Sequence, residues 1–529
     1  MQAISLDIGT SGIRGQLLDV ERRRVLRTVI TSHNPLPGAN VMDHLDFAIE
    51  RGPDLAHEVL LGAVRQVIRS LAPDRWGRLT VCGNPVQLSL FEGIEVRDLA
   101  YAGRNYLDSR GIVPPDRSGH VLQGDAVGLD PNVEVIVPPA IRHEIGADAL
   151  AMMIKSGFLD DDLCMVTDYG TNAEMAIKVG DRVLTGSAAA GPAIEGQHIS
   201  AGMLASPGAI SDLMAIPEGW QVMVLNEELK PCAGAKLSLR GNTLKLLGRR
   251  AQGITGTGVI AVVFAGLEAE RIALPRISGG GISLDRNIRF TTADLLEAGK
   301  AIGAIRAGHM TLLEEAGVDH GDLGTMYMAG ASGTYVDARK AQAVGMVPAS
   351  AKKLVQIGNT SLELAKDLAL DPEMLDRLNS MTKELLAHHI MFASSPTFSN
   401  IYVQELAYWT EGMPWEAYER NLSELGIRTA TPRARDVTVE RRKLTDIWDV
   451  GESLTMIDPG VFLSGTWSCD LCMRCVRACP EGALRCSEAK FLVDAGRCLG
   501  TACRRCEGAC PQKMFSYSGL SLENYPEGR

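Results

Sequence analysis

The stretch "AISLDIGTSGIRGQLLD", residues 3–19, decides how the rest of the chain is read. An apolar run ends at Asp7. Gly9, Thr10, Ser11 and Gly12 follow, and then a second extended run begins. That order predicts strand, tight turn, strand. Small turn residues leave backbone N–H groups open to an anion, and a carboxylate at a strand end can hold magnesium or its waters. Taken singly, the pattern also fits a plain hairpin.

The plan is repeated in "CMVTDYGTNAEMAIKVGDRVLTGSA", from Cys164. Here the apolar run ends at Asp168, the turn is Gly170, Thr171 and Asn172, and two extended runs follow. The first copy has its own third run, "VLRTVITS", from Val25. Two β-β-β units of one design indicate an internal duplication. In "TMYMAGASGTYVDARKA", from Thr325, an apolar strand meets Gly330, Ala331, Ser332 and Gly333 before a helix. A helix start behind small residues accepts an anion or lets a base come close, although alone it is also an ordinary strand–helix turn. No G-x-x-x-x-G-K-[ST] occurs, which excludes a P-loop.

The end of the chain has different chemistry. Nine of the twelve cysteines lie between Cys469 and Cys510. They form two runs, Cys469-x2-Cys472-x2-Cys475-x3-Cys479-Pro480 and Cys498-x4-Cys503-x2-Cys506-x3-Cys510-Pro511. This is the bacterial two-cluster ferredoxin pattern, in which the cysteine before proline ligates the partner cluster. Cluster one is expected to use Cys469, Cys472, Cys475 and Cys510, and cluster two Cys498, Cys503, Cys506 and Cys479. The x4 spacing after Cys498 widens that loop. A zinc module with C-x-x-C knuckles is the alternative, but it does not explain the duplicated Cys-Pro ends. Cys486 is read as a packed thiol, and Cys82, Cys164 and Cys232 as small buried hydrophobes.

Bulk properties narrow the class. A chain of 529 residues exceeds one core and implies about three domains. The net charge of −11 leaves no nucleic-acid footprint. The start, "MQAISLDIGTS", lacks the basic and apolar regions of a signal peptide. The longest apolar stretch, "GVIAVVFAGLEA" from Gly258, is interrupted by Glu268 and is too short to span a bilayer. A cytoplasmic protein with no membrane partner is expected, so the cysteines are read as metal ligands rather than disulfides.

The three glycine elements, in this order, resemble the acetate and sugar kinase, heat-shock-70 and actin superfamily. The resemblance implies an α/β clamp of two RNase-H-like halves that binds ATP with magnesium, followed here by a small α+β ferredoxin-like domain. Residues 6–15 would be the phosphate-1 hairpin, 166–174 phosphate-2 and 328–333 the adenosine motif. Asp7, Asp168 and Glu174 would be catalytic. Gly9, Thr10, Ser11, Gly12, Gly170, Thr171, Asn172, Gly330, Ser332 and Gly333 would bind the nucleotide. Segments near Glu144–Phe158 and Gly358–Leu370 would be the hinge helices.

The motifs "CGNPVQLSLFEGIEVRDLAYAG" (82–103), "GTNAE" (170–174), "AAAGPAIEG" (188–196), "AIGAIRAG" (301–308) and "IGNTSLELA" (357–365) resemble reductive activators of corrinoid proteins. With clusters at the C-terminus, the arrangement is most similar to the activases that serve methylamine methyltransferases. The resemblance implies an ATP-hydrolysing iron–sulfur oxidoreductase with two [4Fe–4S] clusters. It would take electrons from a low-potential donor and return a partner's corrinoid from Co(II) to Co(I). An activator of another low-potential enzyme, such as a radical dehydratase, is the alternative. A small-molecule kinase would need a substrate-hydroxyl pocket and a general-base Asp, and an actin-like assembly protein would not need eight paired cysteines.

On this reading residues 1–162 and 163–358 are the two halves of the clamp. Residues 359–466 are hinge helix, helical extension and linker, and 467–529 are the ferredoxin-like domain. The sequence around His388 and His389 is expected to be helical, with the two rings pointing apart. The charged segment from Thr429 is expected to be a solvated lead into the last domain.

Overall fold

The computed structural model describes residues 1–523 except 39, 102–103, 142–144, 171, 189–197, 242, 386, 429–436, 443–448, 488–489 and 502. The chain forms two compact units. The first comprises Met1–Leu150, Ser361–Glu384 and Asp449–Arg529, and the second Ala151–Thr360 and Leu385–Trp448. The described residues contain no helix long and apolar enough to cross a membrane.

The first unit is built on β1 (Gln2–Ile8), β2 (Ile13–Asp19), β3 (Arg24–Thr31), β4 (Trp76–Gly83), β5 (His120–Gln123) and β6 (Glu134–Val137). Its sheet runs from strand Ser453–Ile457 through β3, β2, β1, β4 and β6 to β5. β1, β2 and β3 are antiparallel, whereas β4 joins β1 in parallel. Alternation puts Ile4, Leu6 and Ile8 inside, fully buried. Helix Pro53–Leu71 covers this face with Val59, Leu60, Val64, Val67 and Leu71. Each such side chain contributes about 1.5–3 kcal/mol. A side chain at Gly15 would run into Val67 and Leu6, so glycine lets the helix lie close to the sheet.

The second unit repeats the plan with β7 (Leu163–Tyr169), β8 (Ala173–Val179) and β9 (Arg182–Ala188). The order is Ala387–Ile390, β9, β8, β7, Thr325–Ala329, Lys353–Gly358, Thr438–Arg441. A five-stranded sheet of residues 209–254 is inserted before helix Gly256–Glu268. The expected hinge segments contain helices Ala147–Ser156 and Thr360–Leu370.

Two local expectations change. His388 and His389 lie in a strand, not a helix, because Ala387–Ile390 pairs in parallel with β9 and His389 Nδ1 sits 3.1 Å from Thr185 Oγ1. Strand pairing to a ready-made edge outweighs the helical spacing of the sequence. The basic segment from Thr429 contains the edge strand Thr438–Arg441, paired to Lys353–Gly358. Its parts at 429–436 and 443–448 lie outside the described residues.

In the second unit, helix Thr292–Ala316 carries Arg306 into the core opposite helix Pro396–Leu406. Side chains at Gly299 and Gly303 would meet Trp409 and Glu405, so these glycines allow the approach. Arg306 donates to the fully buried Glu405 at 2.6 and 2.5 Å, and the Tyr418 hydroxyl donates to the same carboxylate. The guanidinium also lies 5.3, 5.4 and 5.3 Å from the rings of Tyr408, Trp415 and Tyr418. Removing one member of a buried pair leaves the other charge uncompensated. Glu405→Ala should therefore destabilise this unit by about 3–5 kcal/mol. Urea unfolding followed by tryptophan fluorescence measures this, and a change below about 1 kcal/mol would mean the pair adds nothing net.

Candidate nucleotide and cysteine sites

The first turn is closed by the Ile8–Ile13 pair and by the Gly9 N–H donating to the Gly12 carbonyl at 3.0 Å. Side-chain hydrogen bonds hold it from outside. Asn84 donates to Thr10 Oγ1 at 3.1 Å while capping helix Pro85–Glu92 through the Gln87 N–H. Asn34 donates to the Gly9 carbonyl at 2.8 Å. Asp7 stands beside Cys82, its partner in β4.

A second carboxylate reaches the same place. Asp148, in the first turn of helix Ala147–Ser156, is pushed up to about 6 by burial and by the negative charge of Asp7, against the N–H of Ala149. The Cys82 thiol is pushed well up by burial, Asp7 and Asp148, and Ser361 hydrogen-bonds it from the second hinge helix. Asp7 and Asp148 therefore form an anionic pair of hard oxygen donors suited to a divalent cation. The sequence reading missed Asp148. Its signal was an acid in the first turn of a recognised hinge helix.

The second turn is closed by Tyr169–Ala173, with the Gly170 N–H donating to the Asn172 carbonyl at 3.2 Å. Thr171 and nearly all of "AAAGPAIEG" lie outside the described residues. Asp168 is directly opposite Glu174 across the β7–β8 ladder, and Glu174 lies 3.5 Å from Ser187 Oγ. Behind them, Thr167 Oγ1 is 2.8 Å from His309 Nε2, and burial lowers His309 to about 3, so its ring is neutral. Tyr169 donates to the Met346 carbonyl at 3.1 Å.

The Gly330–Gly333 element meets this turn. Gly330 has φ +77, and a Cβ there would collide with the Asp168 carboxylate. A Cβ at Gly333 would lie 3.0 Å from the Tyr169 ring. Ser332 accepts the Val336 N–H at 3.0 Å through its carbonyl. Gln356 donates to the carbonyls of Gly333 and Val336 at 2.7 and 2.8 Å, which fixes the turn. Asp168, Glu174, Gly170, Asn172, Gly330, Ser332 and Gly333 are thus gathered within the second unit, and Asp7, Gly9, Thr10, Ser11 and Gly12 within the first.

The cysteine runs sit on a small antiparallel sheet in the order Leu484–Ser487, Lys490–Asp494, Phe462–Thr466, Ser521–Leu522. Trp467, Phe491 and Phe515 pack together at 5.1–5.2 Å between ring centres. The two runs share one backbone design. Met473 and Arg504 take positive φ (57 and 41) immediately before short helices Arg474–Ala478 and Arg505–Gly508, which carry Cys475 and Cys506. None of the twelve cysteines is in a disulfide.

The thiols influence one another across the runs. Cys475 is raised by burial, with Cys486 and Cys510 adding to the shift. Cys498 is raised by burial, with Cys479 and Cys503 adding, and Cys506 is pushed up to about 12 by burial with Cys498 adding. Cys510 is lowered because backbone N–H groups of residues 512–515 point at it, that of Met514 at 3.3 Å. Two of these influences, Cys510 on Cys475 and Cys479 on Cys498, run between the two cysteine runs, and Cys486, outside both runs, also acts on Cys475. Among the described residues no three His, Cys, Asp or Glu side chains are arranged to hold a single metal ion. Cys486 and Cys232 are half-buried, whereas Cys82 and Cys164 are buried.

Asp148 gives the nucleotide-free protein a pH signature. Its raised pKa means that the folded chain keeps a proton which the unfolded chain releases near 3.8. This contribution to stability is full below about 3.8 and is lost as pH rises through about 6. The stability difference between wild type and Asp148→Asn, measured by urea unfolding without divalent cations, should change across that window. A pH-independent difference would mean that Asp148 titrates alike in the folded and unfolded chains.

Comparison with known proteins accords with this geometry. Residues 2–161 match the model of the RACo middle region, and residues 162–280 and 279–419 match the C-terminal, ASKHA domain of RACo. The chain is 47% identical over 519 residues to the [Co(II) methylated amine-specific corrinoid protein] reductase of Methanosarcina barkeri, covering 95% of this chain and 96% of that protein. It is 25% identical over 451 residues to the corrinoid activation enzyme RamQ of Eubacterium limosum, covering 77% and 70%. A solved reductive activator for a corrinoid, iron–sulfur protein superposes with TM-score 0.63 at 21% identity, over 77% of this chain and 66% of that one. The cysteine runs lie beyond the family models, but the alignment to the Methanosarcina reductase covers nearly the whole chain. The chain therefore belongs to the RACo family of reductive activators, with the actin-like ASKHA fold in its nucleotide-binding part.

Proposed function

We propose that this chain uses ATP to return the cobalt of a partner protein's corrinoid from Co(II) to Co(I), with electrons passing through its cysteine-rich C-terminal region. The observation that carries the reading is 47% identity, over nearly all of both chains, to a protein named for that reduction. The partner would be the corrinoid protein of a methyltransferase system, and the reaction would run in the anaerobic cytoplasm.

The residues supply compatible parts. Asp7 with Asp148, and Asp168 with Glu174, offer oxygen donors for magnesium. The turn at 9–12 would offer backbone N–H groups to phosphate oxygens, so charge developing during phosphoryl transfer would meet preoriented dipoles. The small residues at 330–333 leave room for the base and ribose. Eight cysteines in crossed sets would hold two [4Fe–4S] clusters, which when bound supply a one-electron path at potentials of roughly −700 to +450 mV. One electron from a low-potential donor converts one Co(II) to Co(I), while ATP yields ADP and phosphate. For ATP to favour that step, nucleotide must bind two states of the chain with different affinity.

The test is anaerobic spectroscopy of the full-length reconstituted protein with Ti(III) citrate and a Co(II) corrinoid protein from a methylamine methyltransferase system. The protein should contain about eight irons and eight sulfides. The Co(II) band should give way to Co(I) only with MgATP. Asp168→Asn should keep its iron but lose at least about tenfold in ATP turnover and in Co(I) formation. Cys472→Ala should keep ATP turnover and lose reduction. Reduction at full rate without nucleotide, or by Cys472→Ala, overturns the reading.

A further inference from the structure

The loop after β3, "SHNPLPG" at residues 32–38, touches both the first phosphate turn and the second cysteine run. On one side, Asn34 is buried, 4% exposed, and its amide donates to the Gly9 carbonyl at 2.8 Å. The same amide lies 3.3 Å from Gln87 Oε1, and Gln87 reaches the buried His44 at 2.8 Å. Thr31, at the root of the loop, accepts the Ile13 N–H at 2.8 Å and donates to the His33 carbonyl at 2.8 Å. Both ends of the Gly9–Gly12 turn are therefore bonded to this one segment.

On the other side, the Gly38 N–H donates to the Cys498 carbonyl at 2.8 Å. A side chain at Gly496 would collide with the His33 ring, and one at Gly500 would lie 3.2 Å from the Pro37 carbonyl. The cysteine run is thus seated on the loop with no space between them. Asn34 also ties the two sides together, because its Oδ1 accepts the Leu36 N–H at 2.9 Å and so fixes the path from Gly9 to Gly38. The Ser32 N–H donates to the Ile457 carbonyl at 2.8 Å, so the strand leading into the cysteine region is held at the same point.

We infer that the 32–38 loop is a coupling strap, and that Asn34 is the positioning residue through which nucleotide at the Gly9–Gly12 turn alters the surroundings of Cys498. The inference rests on the proposed function and adds where ATP and the electron path communicate. Phosphate at the turn draws its N–H groups and reorients the peptide whose carbonyl Asn34 holds. That change passes along a strap closed by hydrogen bonds at both ends. The backbone around Cys498 moves with it, and hydrogen bonding near a cluster's sulfurs sets its potential.

The test uses full-length, cluster-loaded protein with and without saturating Mg-AMPPNP. Hydrogen–deuterium exchange in the wild type should slow by about threefold or more in peptides covering 31–38 and 496–503. An EPR-monitored redox titration should show one of the two cluster signals shifting on nucleotide addition and the other staying. Asn34→Ala, still loaded with iron and at saturating nucleotide, should lose both the shift and the protection at 496–503, while Asn34→Gln should restore part of each. Protection at 496–503 unchanged by nucleotide in the wild type, or retained in full by Asn34→Ala, overturns the inference. The wild-type exchange experiment decides even if the variant fails to fold. Protein that binds no nucleotide or holds no iron would overturn the proposed function as well. Protein that does both but shows no coupling overturns only the strap.

Discussion

The Asp168 carboxylate occupies the space that a side chain at residue 330 would need, and much of the second unit follows from that exclusion. Strand Thr325–Ala329 must run beside β7 in register, with Ala329 against Asp168, for the collision to arise. The chain must then leave the sheet at positive φ, which glycine alone adopts cheaply. The first unit meets the same constraint differently. β4 lies beside β1 as Thr325–Ala329 lies beside β7, and a Cβ at Gly83 would meet the Ile8 carbonyl at 2.6 Å. In both units the second parallel strand ends in a glycine pressed against the end of the first, and a helix begins there. The duplication is thus visible in steric terms as well as in strand order.

The parts legible in the sequence were those whose chemistry is local. Asp7-x-Gly-Thr and Asp168-x-Gly-Thr announce strand ends and turns by residue type, and the cysteine runs set the last region apart by their spacing. Asp148 was not legible, because its role comes from tertiary proximity to Asp7 and a helix start has many acids that do nothing. The strands at 387–390 and 438–441 were missed for a related reason. Each is four residues long and forms only because a neighbouring sheet offers an open edge, and no local propensity records that offer. The glycines of "AIGAIRAG" were recognised by resemblance. Their reason, the approach of Glu405 to Gly303 and of Met175 and Phe392 to Gly308, appears only in the packing.

The short edge strands also explain how the last region is attached. Each β-β-β unit leaves its third strand open, and an open edge invites pairing with another chain. In the first unit Ser453–Ile457 covers β3, and in the second Ala387–Ile390 covers β9, both in parallel. What reads as linker therefore supplies an edge strand. Because Ser453–Ile457 runs along β3 to its end, the cysteine region is delivered beside the loop that follows β3. Arg51 then reaches the carbonyls of Ser518 and Leu520, and Arg504 pairs with Glu50. These contacts spread the attachment over the first helix of the unit as well.

The cysteines of the second run differ among themselves in a way that bears on loading. Cys510 receives backbone N–H groups and favours the thiolate, whereas burial pushes Cys506 up to about 12 and raises Cys498. A buried thiolate needs compensating positive charge, which bound iron supplies and water there does not. Metal seated on the second run, as proposed, would expel protons that burial retains on Cys498 and Cys506, so loading would be linked to pH and to the stability of the region. The second run is also the one seated on the 32–38 loop. The state of its ligands and the stability of the contact that holds it against the first unit are then parts of one equilibrium.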